Sequence, residues 1–591
     1  MVLFLIASGL SLIFGVTRIV NFAHGSFYML AAYLTYSLTA MLPLGPASFY
    51  VAVALAAALT GVVGLVVEVG LLRRVYRAPE LYQLLATFAL VLVVSDVVAF
   101  VWGRENKTGP SAPGLAGSVR ILGQLFPSYD LALIAVGLIA ALALWWLFHR
   151  TRWGVLIRAA TLDREMVAVL GVDQRKLFTS VFVLGSALAG LGGALQVPRQ
   201  ALTNVMDTTI ITEAFVVVVI GGMGSLPGAL LAAVLIGVVD ALGVLWLPQA
   251  SLVMTFVVMA VVLIARPWGL LGRPETQLRG PTGAPAAEIV LDRRWAFVAL
   301  VLLVVAPWVL PRFWVLVLVE ILVFALFAAS LHLLMGTGGM VSFGHAVTFG
   351  LGAYAAALLV LRVKAPMLLA FAAAPVAAAL GATLIGFFAV RLSSIYFAML
   401  TLAFCQIAFA IVHQWYDVTG GDNGLLGVWP PRWLADPVRY YYLALVACAG
   451  GIALLAVAGR APFGLTLRAI RDHARRAEAS GIDVRRHQWL AFVLAGFLGG
   501  LAGATFVFLK GSVFPNYLTV ATSVQPLVMV LLGGVGALAG APIGAALYTL
   551  LDTLVTKYTE YWQFVVGAIL LVLVVAFPRG IVGLLAERRR G

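Results

Sequence analysis

Charged side chains are scarce in this 591-residue sequence: Asp, Glu, Lys and Arg make up 10% of it, against 63% hydrophobic residues. Soluble globular domains sit near half apolar and a quarter charged, so a water-soluble protein of this length is excluded. Cysteine is nearly absent as well. Cys405 and Cys448 both lie in apolar segments, which argues against a disulfide framework or a metal site. None of the five lysines closes a G-x4-G-K-[ST] loop, so no phosphate cradle is encoded. No basic residue precedes Arg18, so the charged n-region of a cleavable signal is missing and the first apolar stretch belongs to the first span. The apolar stretches run continuously rather than alternating, which excludes a transmembrane β-barrel.

What is present is apolar sequence in long runs. At about 20 residues per crossing, the apolar content allows about 18 helices through a bilayer. Reading runs and polar breaks gives nine spans in the first half, at about 2–17, 26–42, 49–70, 84–102, 131–149, 177–197, 211–221, 227–245 and 250–265. Ten follow, at about 295–311, 314–335, 346–362, 366–390, 395–415, 441–459, 488–508, 524–533, 541–557 and 563–577. Those at 211–221 and 524–533 are short enough to be broken or re-entrant. The expectation is an all-α polytopic membrane protein of about 19 spans. Its first half covers 1–271, a Pro/Gly-rich polar linker covers 272–294, and the second half covers 295–591.

The net charge of +14 resolves by position. With the N-terminus outside, the loops at 71–83, 150–176, 266–294 and 460–487, the C-terminal tail, Arg18 and Arg391 fall on one side and hold 27 of the 38 Lys and Arg residues. That excess assigns this side to the cytoplasm, and the C-terminus with it. Aromatic residues among the basic loops are too few to argue for nucleic acid.

An internal repeat organises the chain. At a constant offset of 310, residues 154–194 align with 464–504 without gaps, and 14 of 41 positions are identical. GGMGSLPGA (221–229) matches GGVGALAGA (533–541), and NFAHG (21–25) matches SFGHA (342–346). Both copies place the basic loop on the same side, so the expected relation is two parallel halves about an axis along the membrane normal.

The repeated basic loop reads WGVLIRAATLDREMVAVLGVDQRK and FGLTLRAIRDHARRAEASGIDVRR. Its recurring residues are Gly154, Arg158, Ala159, Gly171 and Asp173, answered by Gly464, Arg468, Ala469, Gly481 and Asp483. Each copy has a helix-compatible stretch of about a dozen residues closed by Gly171 or Gly481, a suitable C-cap. Asp173 or Asp483 then caps the helix that re-enters the membrane. Orientation alone needs only charge, so fixed Gly, Ala and Asp spacing points to a rigid docking surface for a partner. The glycine-rich 221–229 and 533–541 segments lack a lysine and join apolar spans, which reads as tight turns and close helix packing.

Two sequences then carry a family resemblance. GLSLIFGVTRIVNFAHGSFYMLAAYL resembles the first permease subunit of branched-chain amino-acid ABC importers, and MGTGGMVSFGHAVTFGLGAYAAAL resembles the second. The R-A-x11-G-[VI]-D loops resemble the regions through which such permeases contact their ATPases. The chain is similar to two usually separate subunits joined in one, with an N-terminus about ten residues later than the family pattern. The resemblance implies a non-enzymatic import permease that binds no cofactor itself. Two ATPase subunits on the cytoplasmic side would use ATP, and an extracytoplasmic solute-binding protein would deliver the solute. Branched-chain amino acids lead as substrates, with urea, short amides and other amino acids as alternatives. An ion-coupled secondary transporter remains a rival, although it would not need paired docking loops. A membrane enzyme ranks last, for want of clustered titratable groups.

Within the repeated NFAHG and SFGHA segments, two readings of the His residues stand. Polar groups at membrane depth must face protein or a water-filled path. His24 and His345 either satisfy carbonyls of a broken helix, or they line the solute path together with Asn21, Phe22, Ser342 and Phe343. Asp96, Asp240, Glu320 and Asp552 fall within or near spans and are unpaired by sequence alone. Glu68 is expected to snorkel or to pair with Arg73, one turn away.

Overall fold

The structure, a computed structural model, describes residues 1–76, 78–121, 123–272, 293–392, 395–576 and 580–587. The expected linker at 272–294 lies almost wholly outside them. Each of the 19 apolar runs folds as an α-helix. Among the described residues, sheet is confined to two antiparallel pairs, Ser118–Ile121 with Gln124–Pro127 and Leu425–Leu426 with Ser512–Val513. Among the described residues, eleven helices are long and apolar enough to cross a membrane, and five further apolar helices are shorter. The chain is a multi-pass membrane protein.

Helix length separates crossing from partial elements. Met206–Gly221 and Val520–Gly533 have 16 and 14 residues. At 1.5 Å per residue they extend about 24 and 21 Å, short of a hydrocarbon core of about 30 Å. Each ends at a glycine with positive φ, Gly222 at 100° and Gly534 at 114°. The chain then turns back so closely that a Cβ on Gly221 would sit 2.4 Å from the Gly228 carbonyl, and one on Gly533 1.8 Å from that of Gly540. The two glycine-rich repeats are therefore turns that bring helix backbones together.

The core of each half is built on the same helix. Gln174–Gln196 packs against Val2–Thr17, His24–Met41 and Ala47–Val67, and its repeat Val484–Lys510 against Arg312–His332, Ala346–Leu361 and Met367–Ala389. Lipid tails are as apolar as leucine, so such helices gain from close approach rather than from burial, and small residues mark the seams. A Cβ on Gly193 would stand 2.0 Å from the Tyr28 carbonyl, and one on Gly503 2.0 Å from the Phe349 carbonyl.

The described residues group into two compact units. The first takes in Met1–Leu245, Trp268–Glu275 and Thr559–Pro578; the second takes in Trp246–Pro267, Thr276–Tyr558 and Arg579–Gly591. The first unit thus includes the late helix Trp562–Ala576, packed on Glu80–Trp102. Asp96 Oδ2 accepts from Phe564 N at 2.7 Å, capping that helix, and a Cβ on Gly567 would meet the Ala89 carbonyl at 2.8 Å. In the second unit Ser251–Ala265 packs on Ile395–Gln414.

Candidate functional site

Both repeated motifs fold into the same local device in each half. NFAHG lies at the break between helices Val2–Thr17 and His24–Met41. SFGHA lies between Ala346–Leu361 and the π-turn Leu333–Thr337 that ends Arg312–His332. A break inside apolar surroundings leaves backbone N–H groups that need partners. Phe22 N donates to Thr87 Oγ1 at 3.4 Å, and Phe343 N to Thr401 Oγ1 at 3.2 Å. Both threonines come from the helix that follows two positions later in each half, and sequence reading missed them.

His24 and His345 are fully buried. His24 Nε2 lies 2.9 Å from the Ile6 carbonyl, which can only accept, so the proton sits on Nε2. Ser330 Oγ gives its own proton to the Phe327 carbonyl at 2.7 Å, so it accepts from His345 Nε2 at 2.8 Å. Both rings therefore carry the same tautomer, with Nδ1 left without a hydrogen-bond partner. His345 also stacks on Phe327, with ring centroids 5.2 Å apart. Asn21 Oδ1 accepts from Ala23 N at 3.1 Å, while its Nδ2 and Ser342 Oγ have no hydrogen-bond partner among the described residues. The Phe22 ring meets Phe215 edge-on, and Phe343 is buried. All six residues of the two motifs are buried.

The basic loops also repeat in three dimensions. In place of a single helix of about a dozen residues, each is a helix, a break and a second helix. The first breaks at Asp163 (φ −148°), between Arg152–Leu162 and Arg164–Val169. The second, Pro462–Ala479, kinks at His473 (φ −158°), its equivalent at offset 310. Asp163 Oδ1 accepts from Met166 N at 3.0 Å, so a local cap competes with helix continuation. Gly154 and Gly464 let each module sit on the end of the preceding membrane helix: a Cβ would meet the Phe148 carbonyl or the Gly459 carbonyl at 2.3 Å. Arg158 Nη1 donates to the Phe148 carbonyl at 2.5 Å, and Arg468 Nη2 to the Gly459 carbonyl. These guanidinium groups bracket the module to its membrane helix. Ala159 is half-buried and Ala469 exposed. Gly171 (φ 82°) and Gly481 (φ 85°) end the second helices, and Asp173 and Asp483 cap the next ones through Lys176 N (3.3 Å) and Arg486 N (3.0 Å).

The sequence pattern of the family described as the branched-chain amino acid transport system permease component matches residues 1–265 and again 313–574. The chain belongs to this permease family. Similar proteins include the high-affinity branched-chain amino acid permease protein BraD of Pseudomonas aeruginosa, 29% identical over 283 residues, 46% of this chain and 92% of BraD. LivH of Escherichia coli is 27% identical over 287 residues, covering 46% of this chain and 92% of LivH. LivM of the same organism is 26% identical over 312 residues, covering 48% of this chain and 73% of LivM. LivH matches the N-terminal half and LivM the other half, consistent with a fusion.

The permease employs its remaining acids locally. Glu68, buried on the π-turn Glu68–Leu72, pairs with Arg73 at 3.2 Å and accepts from Thr179 Oγ1 at 2.8 Å. Glu320 pairs with Lys510 at 3.2 Å. Asp207, which sequence reading did not single out, is buried and accepts from Ser26 Oγ at 3.3 Å. Among the described residues no group of three or more His, Cys, Asp or Glu could hold a metal ion.

Proposed function

We propose that this chain forms the transmembrane pathway of an ATP-driven importer for branched-chain amino acids (Leu, Ile and Val). The observation that carries the reading is the paired helix–break–helix modules, each bracketed to a membrane helix by Arg158 or Arg468 and seated by Gly154 or Gly464. A secondary transporter has no use for two rigid, repeated, surface-mounted levers. In this reading the modules lie in the cytoplasm and each engages one ATPase subunit. Nucleotide is used by those subunits, not by this chain, and a solute-binding protein docks on the opposite face. Partner closure moves the modules, and access through the pathway alternates.

The two buried breaks are the parts of the pathway able to respond. Each holds polar atoms without partners, Asn21 Nδ2 and His24 Nδ1 in one, Ser342 Oγ and His345 Nδ1 in the other. Unsatisfied buried polar groups are costly, so an opened break would offer them to a polar solute or to water.

The test is uptake of labelled leucine into proteoliposomes holding this chain, its ATPases and its binding protein. Uptake that needs ATP supports the reading. Uptake by the chain alone, driven by an ion gradient, refutes it. Replacing both His24 and His345 by alanine is expected to lower uptake while the ATPases still co-purify. Unchanged uptake kinetics would remove these residues from the path.

A further inference from the structure

The two modules rest on the membrane helices differently. The first lies on an apolar cluster in which Ile157, Ala160 and Val167 pack with Leu12, Val16, Leu177 and Val181. In the second, Leu467 and Ile470 are buried at the equivalent positions, and a polar tie is added. Arg471 Nη1 donates to the Gly336 carbonyl at 2.6 Å, while its Nε is held by Asp472 Oδ1 at 2.9 Å. Gly336 belongs to the π-turn Leu333–Thr337, which leads directly into the break containing Ser342 and His345. Single π-turns widen a helix and recur where function needs a deformable point. A cation on the last carbonyls also suits the helix dipole.

The surroundings make room for this contact. Gly339 has φ 69°, and a Cβ there would come within 2.6 Å of Arg471 Cγ. A Cβ on Gly336 would come within 2.6 Å of His332 Nε2, and that nitrogen donates to the Val535 carbonyl, 2.9 Å away in the glycine-rich turn. Among the described residues, the first half shows no such tie at the matching places. Thr161 stands at Arg471's position (offset 310), and its hydroxyl donates to the Arg158 carbonyl of its own helix at 2.7 Å. At offset 321, Arg18 stands where the second half has Gly339.

We propose that Arg471 is a positioning residue that transmits movement of the Pro462–Ala479 module into the π-turn and the SFGHA break, and that this link exists in the second half only. The inference rests on the importer reading above. In it, the first module acts on Val2–Thr17, the helix before its break, by apolar contact, whereas the second also pulls on a carbonyl of the turn before its break.

The experiment uses the full chain with its ATPases and binding protein in proteoliposomes, labelled leucine as probe, and measures ATP hydrolysed per leucine imported. Loss of one charge-assisted hydrogen bond at the link is expected to raise that ratio about tenfold in Arg471→Gln, with normal co-purification of the ATPases. Gly339→Ala, which crowds the arginine stem, should change the ratio in the same direction. Arg471→Lys, which keeps a donor, should recover part of it, and Thr161→Ala should match wild type. A wild-type ratio in Arg471→Gln overturns the proposal, as does an equal loss in Thr161→Ala. Failure of Arg471→Gln to retain the ATPases would instead place Arg471 on the docking surface and also overturn it. If wild type itself shows no ATP-dependent uptake, the importer reading fails and this inference fails with it.

Discussion

Thr401→Val isolates the hydrogen bond that holds the second break. Valine keeps the shape of threonine and its packing but removes the oxygen that accepts from Phe343 N at 3.2 Å. The hydroxyl's own proton goes to the Ala398 carbonyl at 2.7 Å, within its helix, so that carbonyl is the lesser loss. Phe343 is buried, so its N–H would lose this acceptor in apolar surroundings. One such hydrogen bond contributes about 0.5–1.5 kcal/mol, so its loss corresponds to about 2- to 13-fold easier local opening. Hydrogen exchange of the Phe343 amide in nanodiscs reads this directly. Thr401→Val should speed that amide by a factor in this range. Thr401→Ser loses a buried methyl but keeps the acceptor, so it should lower overall stability while leaving this amide protected. Thr87→Val should act on Phe22 in the same way but more weakly, because that bond is longer, at 3.4 Å. Unchanged protection at Phe343 in Thr401→Val would refute the pinning role.

Asp96→Ala removes the acceptor for Phe564 N in the first turn of helix Trp562–Ala576 and should cost about 0.5–2 kcal/mol, seen as a lower melting temperature in detergent. Asp96→Asn, which still accepts, should melt like wild type, and equal melting of both variants would refute the cap. Gly193→Ala and Gly503→Ala each place a carbon 2.0 Å from a carbonyl oxygen. Relief requires a backbone shift worth about 1–3 kcal/mol, so both should reduce folded yield and melting temperature; wild-type melting would show that these seams are loose. Charge reversal at both Arg158 and Arg468 should break the brackets to the Phe148 and Gly459 carbonyls and reduce ATPase co-purification. Retention of the ATPases with normal import would remove the modules from the coupling role.

How legible this chain was depends on what each feature needs from distant residues. Helices in an apolar solvent must satisfy their own backbone, so 19 apolar runs give 19 helices with little ambiguity. Gly171, Gly481, Asp173 and Asp483 were readable as caps because capping is decided within a few residues. Asp163 and His473 were not read as helix breaks. The residues around them suit a helix, and at Asp163 it is the side-chain cap on Met166 N that competes with its continuation. Asp96 looked like an isolated acid in a span because its partner, Phe564 N, is 468 positions away. Thr87 and Thr401 escaped for the same reason, each serving a backbone donor on another helix.

The repeat itself shows where backbone geometry is fixed and where side-chain chemistry is free to diverge. Gly193 and Gly503 meet Tyr28 and Phe349, residues that are themselves equivalent at offset 321, so the helix seams coincide in both halves. The histidine contacts already differ. Gly9 leaves the Ile6 carbonyl open to His24, whereas Ser330, at the same position in the second half, meets His345 with its own hydroxyl. Arg471 and Thr161 differ more, since one reaches the turn before the break and the other stays on its own helix. Duplication would leave the two halves alike, and contacts that hold both folds in the same way have stayed alike. Among these contacts, the ones that diverge are those that link a module or a histidine to a break.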